Sequence, residues 1–176
     1  MGIRAFIEID RIDYKKPYSK DYILDFLLQT EQYYIRSFLI SLRKEEYYTF
    51  IKPNLFLKYF YKRRKNILGR KLGIIIHAGN FAKGLKLYHY GSIIVHPDAR
   101  IGENCTIHGN CCIGSKGGYP DYAPKIGDNV DIGQASQILG NVSIANGVKI
   151  GAGSIVTKSV LEEQVTVVGI PGRIIK

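Results

Sequence analysis

From residue 95 the chain reads VHPDAR IGENCT IHGNCC IG, and from residue 126 it reads IGDNVD IGQASQ ILGNVS IANGVK IGAGSI V, spaced in sixes. A branched aliphatic opens each block: Val95, Ile101, Ile107 and Ile113, then Ile126, Ile132, Ile138, Ile144, Ile150 and Val156. Four positions later the residue is small or compact, at Ala99, Cys105, Cys111, Val130, Ser136, Val142, Val148 and Ser154. Glycine often follows the aliphatic, at Gly102, Gly114, Gly127, Gly133 and Gly151. Ten aliphatic positions obey the period, too many for coincidence. Each hexapeptide predicts a short strand and a turn, and three of them close one triangular coil. The aliphatic then points into the prism and stacks on its counterpart one coil later, at the ~4.8 Å spacing of a parallel sheet. The compact residue fills the narrowing corner, and glycine is read here as tolerating turn dihedrals that oppose a Cβ. Cys105 and Cys111 fall in the compact slot and read as core filler, whereas Cys112 falls on the outside.

Outward from the repeat, two unlike halves appear. The whole chain has 176 residues, with 25 Lys and Arg against 15 Asp and Glu, a net charge of +10. Residues 1–76 hold 16 basic and 8 acidic residues, 15 of the 20 aromatics and only 3 of the 19 glycines. The shift predicts a basic, aromatic, helical N-terminal domain over 1–76 and a β-helix domain over 77–176. In the first, Ile23, Phe26, Leu27, Tyr34, Phe38, Leu39 and Leu42 form an apolar stripe at three- and four-residue steps, with Ser19 as an N-cap. A further helix is expected from Pro53–Asn54 to about Asn66, with Gly69 near its end. It should turn Leu57, Phe60 and Tyr61 inward and Lys58, Lys62, Arg63, Arg64 and Lys65 outward. Residues 1–18 give no clear reading.

The composition excludes disorder, and no apolar run approaches the ~20 residues of a membrane span. Three cysteines, an odd number, give no disulfide framework, and the start lacks a signal-peptide core. The expected location is the cytoplasm. The run Lys62 to Lys65, with Arg70 and Lys71, suits anionic membrane or nucleic acid, but such runs are mostly solvated helix faces. Neither nucleic-acid binding nor stable membrane insertion is expected.

Chemistry concentrates at the interruption and the histidines. Between Ile113 and Ile126 lie seven residues more than the period requires, an insertion over 115–125 that reads as a binding loop. His96 and His108 follow Val95 and Ile107 at turns. Counting six back from Val95 points His89 inward, but Gly91 permits a bulge there, so both a structural and a catalytic imidazole stay open. Gaps of 12, 7 and 12 between His77, His89, His96 and His108 match no zinc-site spacing, and no metal is expected.

The stretch from about Ile75 to Lys176 resembles the left-handed β-helix acyltransferases, the hexapeptide-repeat family, in their serine acetyltransferase branch. It is similar above all to the serine-acetyltransferase-like enzymes associated with bacterial surface polysaccharide. The residues that carry this are the HYG motif within Gly84–Val95, the IG-x-NC-x-IH run of Ile101–His108, the segment Ala123–Val130 and the ending Val168–Arg173. The resemblance implies a mainly β fold, a left-handed parallel β-helix of hexapeptide repeats behind an α-helical N-terminal domain. It also implies an acetyl-CoA-dependent O-acetyltransferase in which His89 is the general base and transfer is direct. Acceptor contacts are then expected from His108, Tyr88, Tyr90, Tyr119 and Asp121. Coenzyme contacts are expected from Gly133, Gln134, Ala135, Gly151, Ala152, Lys158, Gly169 and Arg173, with the two cations suited to phosphates. The family implies a homotrimer, with the helical part able to pair trimers. Two departures bear on the acceptor. Ile75 or a neighbour stands where an acid orients the family's histidine, and Ala123 stands where a second histidine serves the amino-acid site. On these grounds a saccharide hydroxyl is the expected acceptor, in surface-polysaccharide synthesis, with L-serine of cysteine biosynthesis as the alternative.

Overall fold

The structure is a computed structural model that describes residues 2–7, 20–117 and 122–175. Among the described residues four α-helices come first: α1 (Ile3–Ile7), α2 (Lys20–Leu27), α3 (Glu31–Glu46) and α4 (Leu55–Leu72), with a π-helical turn at Tyr47–Ile51. Local chemistry sets their ends. Thr30 caps α3 by accepting a hydrogen bond from the Tyr33 amide at 3.3 Å, and Asn54 caps α4 by accepting from Leu57 at 3.0 Å. Gly73, at φ 71°, closes α4 in the left-handed conformation. The expected cap Ser19 lies outside the described residues.

The apolar stripe is divided by the turn at Leu28–Gln29. Beyond it Phe38, Leu39 and Leu42 are buried, but Ile23, Phe26 and Leu27 on α2 are exposed. The fourth helix runs past the expected end at Asn66, and its inner face differs from the expectation. Phe60 is exposed, whereas Lys65 turns inward to Glu45, Nζ to Oε2 at 2.9 Å, both side chains 5% exposed. A charge reads as outward in sequence; here a carboxylate on α3 satisfies it inside. Gly69 is where α4 meets the prism, since a Cβ there would sit 2.4 Å from the Ile74 carbonyl oxygen.

Three parallel sheets form the prism. The first face stacks Ile74–Ile75, Ile93–Val95, Cys112–Gly114, Gln137–Leu139 and Ile155–Val156. The second stacks Arg100–Ile101, Lys125–Ile126 and Ser143–Ile144. The third stacks Lys86–Leu87, Thr106–Ile107, Asp131–Ile132, Lys149–Ile150 and Thr166–Val168, and Arg173–Ile175 closes it antiparallel. Regular coils pair eighteen residues apart, as in Ile94 with Cys112 and Lys125 with Ser143. Across the 115–125 insertion the offset becomes twenty-five, as in Arg100 with Lys125, and the ladder then resumes. The ten aliphatics and eight compact residues of the repeat are all buried.

The glycines after the aliphatics have a different reason from the one read in the sequence. Left-handed backbone occurs two positions later, at Asn104, Asn110, Asn129, Ala135, Gly147 and Gly153. Gly102, Gly127 and Gly133 instead lie hard against the next coil, where a Cβ would come within 2.2–2.6 Å of Asp128 Oδ1, Asn146 Oδ1 and the Ile150 carbonyl. They permit close stacking.

Helices and prism share one apolar cluster, in which Phe38, Leu39 and Leu42 join Leu72, Ile74 and Phe81. Polar clamps reinforce it: Arg43 donates to the carbonyls of Phe81 (3.0 Å) and Ala82 (2.7 Å), and Glu46 accepts from the Gly79 amide at 2.9 Å. This anchorage brings the start of α3 to the prism edge.

Candidate active site

The turns leading from the third face to the first lie on one edge of the prism and begin at Tyr88, His108, Gly133 and Gly151; Gly169 leaves the third face at the same end, in the turn that folds back to Arg173–Ile175. Adjacent coils lie about 4.8 Å apart, so the column spans on the order of 19 Å. The structure thus aligns His89 and His108 with Gly133, Gln134, Ala135, Gly151, Ala152 and Gly169. Arg173 pairs with Val168 at the foot of the column. Lys158 follows Val156 on the next edge and does not join it.

At the head of the column, Leu87 and Val95 both face the core but are eight residues apart instead of six. The two extra residues are absorbed in a bulged turn that includes Gly91 at φ 132°. Of the two readings left open for His89, the inward one fails: its side chain is 58% exposed. Its ring is fixed from the side. Glu31, the first residue of α3, places Oε2 3.2 Å and Oε1 3.3 Å from Nδ1, and Oε1 also accepts from the Tyr90 amide at 3.1 Å. A carboxylate in the first turn of a helix is favoured by the helix dipole. With Nδ1–H donating to Glu31, Nε2 carries the free lone pair and faces away. This acid, which the sequence did not reveal, stands beside the ring where Ile75 offers no carboxylate.

One coil on, His108 stacks on Tyr88 with ring centroids 4.5 Å apart and planes 12° apart. Its Nε2 lies 3.3 Å from Asp131 Oδ1, and Lys86 Nζ stands 4.2 Å over the Tyr88 ring. Tyr88 and Tyr90 are exposed beside His89. Tyr119 and Asp121 lie outside the described residues. Gly133 and Gly151 spend their amides on the next coil, donating to the carbonyls of Ile150 and Val167 at 2.8 Å each.

The other candidates lie apart from this edge. His77 is half-buried near the Lys65–Glu45 pair; burial first, then the Lys65 ammonium, pushes its imidazole below the ordinary value. Burial pushes the Cys105 thiol up to about 11 and raises those of Cys111 and Cys112, which keeps all three as poorly nucleophilic thiols. Among the described residues no group of three or more His, Cys, Asp or Glu is placed to hold a metal ion.

Residues 123–158 match the family model of the bacterial transferase hexapeptide (six repeats). A serine acetyltransferase of Staphylococcus epidermidis is 39% identical over 126 residues, which is 66% of this chain and 59% of that protein. One from Synechococcus elongatus is 32% identical over 127 residues, covering 66% of this chain and 52% of its own. The chain therefore spans little more than half the length of these curated relatives. Among solved structures, Neisseria gonorrhoeae serine acetyltransferase superposes with a TM-score of 0.69 at 31% identity, over 99% of this chain and 65% of that one. Its complex with serine gives a TM-score of 0.68 at 30% identity, over 99% and 69%. Repeat and neighbours together imply a left-handed β-helix for the prism. They also overturn the expectation of a saccharide acceptor and of the polysaccharide-associated branch, because the likeness falls on serine acetyltransferases. That expectation leaned on a missing acid, and Glu31 removes half of its basis. By its ladder, its fold and these relatives, the chain belongs to the hexapeptide-repeat transferase family, with the serine acetyltransferases as its homologues.

Proposed function

We propose that the protein transfers the acetyl group of acetyl-CoA to the hydroxyl of L-serine, with His89 as general base. The observation that carries this reading is an exposed imidazole whose Nδ1 is held by the Glu31 carboxylate at 3.2 Å, at the head of a column of small turn residues. The serine acceptor is supported by the relatives, including one solved with serine bound. The acceptor hydroxyl lies against His89 Nε2. The imidazole takes its proton as the oxygen attacks the thioester carbonyl, and Glu31 stabilises the imidazolium that forms. When the tetrahedral adduct collapses, the C–S bond breaks and Nε2–H returns the proton to the leaving thiolate. His89 ends neutral, and no acyl-enzyme forms.

Acetyl-CoA lies along the column in this reading, thioester at His89 and phosphates toward Gly169 and Arg173. Tyr88, Tyr90 and His108, the last beside Asp131, flank the acceptor in this reading, with Tyr119 and Asp121 assigned to it from the 115–125 loop. A homotrimer completes the site, since the His89 edge is open and a neighbouring copy is needed to enclose it and to present Lys158. The test is free-thiol release from acetyl-CoA with L-serine. His89→Ala is expected to lower kcat at least about a hundredfold. A purified protein that leaves L-serine unacetylated, or an undiminished His89→Ala variant, overturns the proposal.

A further inference from the structure

We infer that the exposed face of α4 docks the protein on an anionic lipid bilayer. At the start of this helix Leu55 is 73% exposed and Phe56 79%, with Tyr59 and Phe60 also in solvent. These four and Arg63 line one shallow depression of about 470 Å³. Tyr59 and Arg63 continue into a second depression of about 940 Å³ between α4 and the first coil, where Lys62, Arg70 and Ile75 face it. The surface thus passes from hydrocarbon to cations along one helix.

The charge on this face has a single sign. No Asp or Glu occurs from residue 47 to residue 97, a span holding ten Lys and Arg. Lys65 is neutralised internally by Glu45, whereas Lys62, Arg63, Arg64 and Arg70 are exposed and pair with no carboxylate among the described residues. Aromatic and aliphatic side chains beside a basic stripe suit the boundary of acyl chains and anionic headgroups. A two-fold mate is a poorer occupant, because such a contact lays this basic face on itself, and a heterologous copy is tested by the oligomer size below. Nucleic acid would answer the cations but leave Leu55 and Phe56 without an apolar partner. No described helix is long and apolar enough to cross a membrane, so the docking is peripheral.

The chain contains no tryptophan, so Phe56→Trp gives a single reporter. With the full chain at low salt, its emission is expected to shift to the blue on vesicles of phosphatidylcholine containing about a third phosphatidylglycerol, and not on phosphatidylcholine alone. In co-sedimentation, Phe56→Ser with Phe60→Ser, and separately Arg63→Glu with Arg64→Glu, should each weaken binding about tenfold or more while keeping the helical circular dichroism. The inference is overturned if the reporter does not shift, or if the serine pair binds vesicles as well as the parent. It is equally overturned if that pair reduces the oligomer size, which would make the face a contact between copies, or if duplex DNA shifts the reporter as the vesicles do.

Discussion

Glu31 shows what a single residue can add that spacing cannot reveal. It lies 58 positions before His89, and no period links a helix start to a prism turn. Only its place in the first turn of α3, after the Thr30 cap, was available in the sequence, and that pattern usually signifies helix capping alone. Glu31→Gln keeps the shape but offers a neutral partner to the forming imidazolium. It is expected to lower kcat for L-serine about tenfold or more with little change in KM for acetyl-CoA, and Glu31→Asp should recover part of it. Equal kcat in Glu31→Gln and the parent, measured by thiol release, would leave the carboxylate a structural tether. The repeat glycines were legible as a pattern but not as a cause, because a residue string does not show that the next coil stands 2.2 Å from an imagined Cβ at Gly102.

At the level of elements, the prism was readable and the helix pair less so. A strand that repeats every six residues declares its inner face, so every aliphatic of the ladder is found buried. Helix α4 carries seven cations among its eighteen residues, and which one turns inward depends on Glu45 of α3. That buried pair makes a prediction for the α3–α4 contact. Lys65→Met alone strands the Glu45 carboxylate in the interior and should cost about 3–5 kcal/mol in urea unfolding. Lys65→Met combined with Glu45→Leu removes both charges and should recover most of that loss. A double variant no more stable than the single one would show that the pair stabilises the contact by itself. The exposed stripe of α2 was misjudged for a related reason: periodicity marks an apolar face but not whether anything covers it.

Across the whole molecule, helices and coils share one apolar core, and His77 sits where they meet. Its imidazole titrates below the ordinary 6.5 in the folded state, through burial first and then the nearby Lys65, with Lys62 and His96 acting in the same sense and Glu45 opposing. The unfolded chain therefore binds the proton more readily, so stability present at neutral pH declines as pH falls through about 6.5 toward the folded value. His77→Gln should flatten that part of a urea-midpoint profile, and an unaltered slope would assign it to other groups. The insertion at 115–125 has a different kind of consequence. Because the chain leaves the ladder after Gly114 and rejoins it at Lys125 in the next rung of the neighbouring face, the coils keep their pairing across it, tied to the start of the insertion by Lys116, whose Nζ donates to the Thr157 carbonyl at 3.0 Å. A loop hung on so rigid a frame can be lengthened or rewritten, and the protein's grip altered, without disturbing the frame's register.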